Sequence, residues 1–210
     1  PCPYCGGRGS VKSAVTMAIE AIRQAKRALK HSQHKTLELL VHPQVAVRLL
    51  PATRQAEEML QRFRAEAEGL AGKDHPGVAK IFRLGAGQGL IYLVTEWVEG
   101  EPLEPGQGRS VAETLSLFLP IAEAAAFLHR QGVVLRELRP SGIVIAQQGP
   151  RIAWFGLGHT LEEQQALAPS GAWPARAALL APERLRGGNA SLAGDVFALG
   201  GMLHRALSGK

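Results

Sequence analysis

Two cysteines near the start of the chain have the types and spacing for metal chemistry. Cys2 and Cys5 form a C-x-x-C pair that glycines follow, and such glycines let the backbone wrap closely around a metal-bound thiolate. The sequence holds 2 cysteines in all, so a four-cysteine zinc site cannot close within one copy. Three interpretations stay open: a zinc shared between two chains, which we favour, a site completed by His31 and His34, and a redox pair or a pair without a role.

The residues around this pair carry a family resemblance. The stretch CPYCGGRGSVKSAVTMAIEAIRQAKRAL resembles the zinc-link region of the ribonuclease E/G family, and the similarity extends over roughly residues 1–50. In that family two subunits each supply two cysteines to one zinc. The resemblance therefore implies that Cys2 and Cys5 hold a zinc shared between two chains of a homodimer. The catalytic carboxylates of that family lie upstream of the zinc-link, so this segment lacks them.

Positive charge is concentrated in the same segment. Residues 1–35 contain one acid, Glu20, and hold the whole formal excess of +6. The basic residues there are Arg8, Lys12, Arg23, Lys26, Arg27, Lys30 and Lys35. A basic segment favours an anionic partner such as RNA. A solvated basic helix face explains the same charge about equally well.

A second stretch with chemical potential runs from residue 135 to residue 158 and reads LRELRPSGIVIAQQGPRIAWFGLG. It resembles the catalytic loop and the metal-binding turn of protein kinases, where H-R-D-L-K-P-x-N precedes two short strands and D-F-G. The resemblance places Glu137 at the catalytic base and Arg139 at the loop lysine. It places Gly142 and Trp154 at the two metal-binding positions.

These substitutions bear on phosphoryl transfer, which needs Mg²⁺ held by oxygen ligands. The indole of Trp154 offers an N–H donor and no acceptor, and Gly142 has no side chain. Glu137 keeps a carboxylate, but one methylene further from the backbone than aspartate, and base geometry strongly affects the rate. We therefore expect a catalytically inactive kinase-like module, a pseudokinase, for which ATP and Mg²⁺ are not expected as cofactors. The alternative is a divergent active Ser/Thr kinase.

The resemblance also implies nucleotide-binding positions upstream. In Val45-Ala-Val-Arg48, Arg48 takes the place of the lysine that touches ATP phosphates, and Glu66 takes the place of its helix partner. Thr95 lies at the gatekeeper position. The segment from Glu96 to Val98 resembles the hinge, whose backbone reads adenine in this family. No G-x-G-x-x-G precedes Arg48, so the phosphate-covering hairpin is expected to be absent.

Other segments predict the framework that positions these residues. Apolar runs predict strands at 37–41, 81–84 and 90–94, with a hairpin turn in the glycine stretch 85–89. The resemblance to the kinase V-A-I-K motif implies a further strand at 45–48. Helical spacing predicts a helix over 54–70, and a capping box at Ser110 opens another helix that Gly132 ends. Ala181-Pro-Glu183 resembles the A-P-E motif. Asp195 resembles the kinase αF aspartate that ties the catalytic-loop backbone, and we expect Glu183 to be unpaired.

The predicted fold is α+β: a two-lobed protein kinase-like fold that is truncated, without the glycine-rich hairpin and ending after αF, and preceded by a small Cys-x-x-Cys turn and helix. We predict a zinc-link and basic helix at 1–44 and an incomplete kinase-like domain at 45–210. The predicted function is a binding or scaffolding module on a zinc-linked dimerisation segment. A further alternative is a fragment of a ribonuclease E/G-type RNA-processing protein. Predicted partners are a second copy through zinc, RNA through residues 1–35 and a protein bound by the kinase-like body. No apolar run of about 18 residues suggests a membrane span, so we expect a cytoplasmic protein.

Overall fold

The structure, a computed structural model, describes residues 37–42, 45–51, 61, 64, 70, 73–87, 90–104, 108–136, 138–153 and 179–209. The chain divides into two compact units. The first contains Pro1–Glu58 and Lys80–Trp97, and the second contains Met59–Ala79 and Val98–Lys210. The predicted zinc-link, with Cys2 and Cys5, lies outside the described residues.

The first unit contains a four-stranded antiparallel sheet with the order β1-β2-β4-β3. Its strands are β1 (Leu37–His42), β2 (Val45–Pro51), β3 (Ile81–Gly87) and β4 (Leu90–Glu96). The two central strands, β2 and β4, are near-continuous apolar runs, as is usual for strands buried on both faces. Val47, Leu49, Ile91 and Leu93 are each 0% exposed. All four predicted strands are confirmed, and the predicted division at residue 44, which falls between β1 and β2, stays a prediction.

The glycine stretch 85–89 differs from its prediction. We expected a hairpin turn throughout, but β3 continues to Gly87. Gly85 pairs with Tyr92 of β4, and a Cβ on Gly85 would collide with the Tyr92 hydroxyl oxygen. The strand therefore needs glycine at position 85, because the Tyr92 side chain leaves no room there for a Cβ.

The second unit contains a three-stranded antiparallel sheet with the order β5-β6-β7. Its strands are β5 (Glu101–Pro102), β6 (Ile143–Ala146) and β7 (Gly149–Ile152). The two short strands predicted between the catalytic loop and the W-F-G turn are thus confirmed. Gly149 has a φ of 112°, which favours glycine in the tight turn from β6 into β7.

A long helix, α1 (Val111–Arg130), packs against β7 and against a later helix. The predicted capping box is present: the Ser110 hydroxyl accepts from the Glu113 N–H, and the Glu113 carboxylate accepts from the Ser110 N–H. By length and composition α1 is apolar enough to cross a membrane. Its buried face belongs to a packed core, however, and consists of Thr114, Phe118, Ile121, Ala124, Ala125 and Leu128.

Two further helices follow, α2 (Pro182–Leu185) and α3 (Leu192–Ser208). The Ser191 hydroxyl caps α3 by accepting from the Gly194 N–H, and Gly209 ends it in the left-handed conformation. The face of α3 that is buried contains Asp195, Ala198 and Met202. Of the helix predicted at 54–70, residues 61, 64 and 70 are described, and all three are helical.

Candidate active site

The segment after α1 forms the predicted catalytic loop. Its apolar residues point into the core: Val133, Leu135 and Leu138 are 0%, 2% and 5% exposed. Between them, Arg136 has a φ of 62° and is the one non-glycine residue with a positive φ among the described residues. This backbone conformation costs about 1–3 kcal/mol and persists only where its surroundings fix it. The loop must therefore be held by neighbouring groups.

Asp195 on α3 supplies that hold. Its side chain is 3% exposed, and its Oδ2 accepts a hydrogen bond of 2.8 Å from the Leu135 N–H. The same oxygen lies 3.0 Å from Nε2 of His129, in the last turn of α1. Burial raises the pKa of Asp195, and the hydrogen bonds from Leu135, His129 and the Arg136 backbone oppose that rise. The prediction that Asp195 ties the catalytic-loop backbone is confirmed.

His129 is a site residue that sequence reasoning missed. It lies near the end of an apolar helix, and its side chain is 16% exposed. A polar side chain that interrupts the buried end of such a helix is the signal that could have identified it, because buried polar groups almost always have a hydrogen-bond partner.

The catalytic loop leads into a short 3₁₀ turn, Pro140–Gly142, and then into β6. Gly142 is buried, and its carbonyl oxygen accepts from the Ala153 N–H at 2.9 Å. Ala153 immediately precedes Trp154 in the sequence. The structure thus brings the backbone at the first predicted metal position next to the residue that precedes the second, while Trp154 itself lies outside the described residues.

Of the two predicted catalytic residues, the structure describes only Arg139. Glu137, at the position of the base, lies outside the described residues, although both its neighbours are described. Arg139 caps the 3₁₀ turn in an extended conformation with φ of −147° and ψ of 159°, and its side chain is half-buried. The backbone on either side of Glu137 is therefore defined, and the position of its carboxylate stays a prediction.

Among the nucleotide-binding positions, the backbone of Arg48 pairs with Leu93 in the first sheet. The Arg48 side chain and all of Glu66 lie outside the described parts of the chain, so their ion pair stays a prediction. Thr95 is 0% exposed, and its hydroxyl has no hydrogen-bond partner among the described residues. These positions are consistent with the predicted strand and gatekeeper, and their contact with a nucleotide stays a prediction.

Two hydrogen bonds to the Lys80 backbone hold Glu96, the first residue of the hinge-like segment. The Glu96 N–H donates to the Lys80 carbonyl at 2.8 Å, and the Glu96 carboxylate accepts from the Lys80 N–H at 3.1 Å. Val98 is 7% exposed, and Trp97 between them is 37% exposed. The Glu96 side chain therefore contacts the backbone of its own unit, and an adenine-reading role for Glu96 and Val98 rests on their backbone groups.

Glu183 accepts a hydrogen bond from a nearby hydroxyl. We expected this A-P-E glutamate to lack the arginine partner that it has in the family, and that stays a prediction, while its Oε1 lies 3.4 Å from the Ser191 hydroxyl. The Glu183 carbonyl also accepts from the Gly188 N–H at 2.8 Å. The glutamate thus bonds to the turn that leads into α3, because the chain folds back onto α2 within a few residues.

Comparison with known proteins identifies the family to which this site belongs. A family model described as the protein kinase domain matches residues 31–210. A probable serine/threonine-protein kinase, PknA2 of Bifidobacterium longum, is 35% identical over 159 residues, which cover 73% of this chain and 21% of the relative. Serine/threonine-protein kinase PknA of Mycobacterium tuberculosis is 34% identical over 177 residues, which cover 79% of this chain and 41% of the relative. The chain thus spans less than half the length of these relatives.

Solved structures support the same fold. The kinase domain of Mycobacterium tuberculosis PknI has a TM-score of 0.57 at 22% identity and covers 79% of this chain and 62% of that chain. A double mutant of the same PknI domain has a TM-score of 0.61 at 21% identity, covering 83% of this chain and 67% of that chain. At this level of identity the likeness shows the fold alone. The predicted kinase-like, mixed helix and sheet fold is confirmed.

These findings correct the predicted function. The relatives are named serine/threonine-protein kinases, so the prediction of a catalytically inactive scaffolding module is wrong, and the alternative of a divergent active kinase has the better support. The expectation that ATP and Mg²⁺ are not its cofactors is wrong for the same reason, because phosphoryl transfer in this family uses both.

The ribonuclease E/G and RNA-binding interpretations are contradicted too, because the family model and these relatives are protein kinases. The zinc prediction has no support in the described part of the chain, where no group of three or more His, Cys, Asp or Glu could hold a metal. The homodimer and a protein partner stay predictions. With a family model that matches residues 31–210 and relatives that are 34% and 35% identical over the aligned residues, the chain belongs to the protein kinase family.

Proposed function

We propose that the chain carries a divergent serine/threonine protein kinase domain, which transfers the γ-phosphoryl group of ATP to a Ser or Thr hydroxyl. The observation that carries this proposal is the hydrogen bond from the Leu135 N–H to the buried Asp195 carboxylate. It holds the strained Arg136 backbone immediately before the residue at the base position. A left-handed residue fixed at this point is a cost that a purely structural loop would not need to bear.

The reaction assigns roles to the residues of this loop. The substrate hydroxyl oxygen attacks the γ-phosphorus, the bond to the oxygen bridging the β- and γ-phosphates breaks, and ADP leaves. Glu137 accepts the hydroxyl proton. Arg139 contributes positive charge beside it, and Arg48 with Glu66 takes the place of the family's Lys–Glu pair. The backbone of Glu96 and Val98 takes the place of the hinge.

Magnesium is the group with which this family neutralises phosphate charge. The described residues do not fit it: Gly142 brings no side-chain oxygen, and no metal-binding group of three or more His, Cys, Asp or Glu occurs among them. The carbonyl oxygen of Gly142 is already bonded to the Ala153 N–H. No Mg²⁺ ligand is therefore assigned to this part of the loop.

A cytoplasmic location follows from the proposed substrate. ATP is the phosphoryl donor of the cytoplasm, and the buried face of α1 packs against β7 and α3, although Val111, Leu115 and Leu119 of the same helix are exposed. We therefore propose that this domain works on the cytoplasmic side of the cell.

Radiolabelled ATP tests the proposed activity. The 210-residue chain is incubated with γ-labelled ATP, a mixture of Ser- and Thr-containing peptides, and either Mg²⁺ or Mn²⁺. We expect label on peptide or on the chain itself above a heat-inactivated control. Glu137→Ala should lower transfer by about a hundredfold, within the range for removing a general base.

The matched control is Glu123→Ala, which removes an exposed carboxylate on α1 and should leave the rate unchanged. Transfer that stays at the heat-inactivated level with both metals would contradict the proposed activity. Transfer that survives Glu137→Ala would contradict the role of the base.

A further inference from the structure

The loop that precedes β3 is attached to the second half of α1. The imidazole ring of His75 stacks on the ring of Phe127, with centroids 4.9 Å apart and planes at 26°. Lys73 Nζ donates to Gln131 Oε1 at 2.5 Å. A Cβ on Gly77 would lie 2.9 Å from the Ala124 Cβ. Three side-chain contacts or close approaches thus hold residues 73–77 against one face of α1.

His75 also shapes the turn that it begins. Its Nδ1 accepts from the Gly77 N–H at 3.1 Å, and its carbonyl oxygen accepts from the Val78 N–H at 3.0 Å. The ring therefore has two functions, since its face packs on Phe127 while its nitrogen closes the turn. An aromatic ring without an acceptor, or an acceptor without a ring, would perform only one of them.

The other edge of this turn is bonded to β7. The Ile152 N–H donates to the Gly77 carbonyl at 2.8 Å, and the Ala79 N–H donates to the Ile152 carbonyl at 2.9 Å. The Arg151 guanidinium donates to the Val78 carbonyl at 3.0 Å. Because β7 would otherwise have one neighbour, β6, these bonds give it a second backbone partner.

The residue that follows β7 bonds to the first predicted metal position. Ala153 directly follows Ile152, donates to the Gly142 carbonyl at 2.9 Å and precedes Trp154. A continuous set of contacts therefore runs from Phe127 through His75, Gly77 and Ile152 to Gly142. A shift of the turn would therefore move the β7 backbone and, through Ala153, the contact with the Gly142 carbonyl.

We propose that His75 is a positioning residue for phosphoryl transfer: it fixes the turn 75–79 on α1 and thereby sets the position of the β7 backbone beside Gly142. This inference rests on the proposed kinase activity for its catalytic consequence. Its structural part, the dependence of β7 on His75, does not. The two parts can therefore be tested by separate measurements on the same variants.

Three substitutions separate the functions of the ring. His75→Ala removes both the stacking and the acceptor. His75→Phe keeps the stacking, and His75→Asn keeps an acceptor, because an Asn side chain can accept from the N–H two residues later. The control is His204→Ala, which removes an exposed histidine on α3.

The first measurement is amide hydrogen exchange at Ala79 and Ile152. We expect exchange at both amides to be about tenfold faster in His75→Ala and partly restored by His75→Asn, with no change in His204→Ala. Unchanged exchange in His75→Ala would overturn the proposal whether or not the chain transfers phosphate.

The second measurement is the steady-state rate. We expect kcat to fall about tenfold in His75→Ala with little change in the KM for ATP, since misplacement of reacting groups by about 1 Å costs up to a hundredfold. His75→Asn should recover part of kcat. If the unaltered chain transfers phosphate and His75→Ala exchanges faster at an unchanged kcat, the positioning role is overturned while the kinase activity stands. If the unaltered chain transfers none, the proposed function fails and the exchange measurement alone decides the role of His75.

Discussion

The catalytic loop at 133–138 and the turn Pro140–Gly142 are neighbours in the chain, but they are held in different ways. The loop is fixed by a side chain from another helix, the buried Asp195 carboxylate, and contains a left-handed residue. The turn is fixed by backbone, through the bond from the Ala153 N–H to the Gly142 carbonyl. The loop therefore depends on one titratable group, while the turn depends on the position of β7.

The loop and the turn also differ in how well their residues match the kinase pattern. The residues that hold the loop match the pattern: Leu138, Pro140 and Asp195. The residue at the turn that would hold metal, Gly142, does not match. Glycine keeps the carbonyl oxygen that bonds to the Ala153 N–H, so the turn keeps its backbone contact while it lacks the side-chain oxygen of the kinase pattern.

The largest expected effect follows from removing the loop's anchor. Asp195→Ala leaves the buried Leu135 N–H without its acceptor and His129 without its partner. We expect a loss of about 3 kcal/mol in the free energy of unfolding, since each buried unsatisfied group costs about 1–3 kcal/mol. Urea denaturation followed by circular dichroism measures it.

The control for this substitution is Glu123→Ala, at an exposed glutamate on α1, which should change stability by less than about 0.5 kcal/mol. Equal losses in Asp195→Ala and Glu123→Ala would show that the Asp195 carboxylate does not anchor the loop.

A medium effect is expected from the turn. Gly142→Asn supplies the side-chain oxygen that the kinase pattern has at this position. We expect the Mg²⁺-dependent transfer rate to rise about tenfold, which corresponds to about 1.4 kcal/mol in the barrier. Initial rates against Mg²⁺ concentration measure it.

Gly142→Ala serves as the matched control, because it adds a side chain without an oxygen and should not accelerate transfer. An equal rise in Gly142→Ala, or no rise in Gly142→Asn in a folded protein, would show that the missing ligand does not limit the rate.

The smallest expected effect concerns pH. Burial raises the pKa of Asp195 above its ordinary value of 3.8, so the folded state binds a proton more readily than the unfolded state. The stability contribution of the protonated group is fully present below 3.8 and is lost as pH rises through the folded-state pKa. Acidification across that window should therefore favour folding relative to Asp195→Asn.

The measurement is the urea midpoint of both proteins against pH, in a His129→Gln background so that the comparison reports on position 195 alone. If the unaltered aspartate instead loses stability relative to asparagine on acidification, the hydrogen bonds outweigh burial and the direction of the pKa shift is wrong.

The contradicted prediction of inactivity has an identifiable cause. It judged the reacting side chains at Glu137, Gly142 and Trp154 one by one and took their loss as the loss of function. The relatives instead share the framework and are named kinases. The side-chain types at these three positions do not show where the surrounding backbone lies, and they do not show whether another residue replaces a lost ligand.

The sequence by itself determined the elements whose signals are local. The capping box at Ser110 predicts the start of α1 because both of its hydrogen bonds join residues three apart. The apolar run at 90–94 predicts β4 because a buried central strand needs apolar side chains on both faces. The ordered kinase motifs likewise predicted the family and the anchoring role of Asp195.

Tertiary structure decided the contacts between residues far apart in the chain. His129 shares the Asp195 carboxylate across 66 positions, and His75 packs on Phe127 of α1. Gly85 pairs with Tyr92 of the neighbouring strand, whose side chain leaves no room for a Cβ at this position. No local sequence pattern encodes these pairs. A buried polar group needs a hydrogen-bond partner, but which residue supplies it depends on how the helices and strands pack.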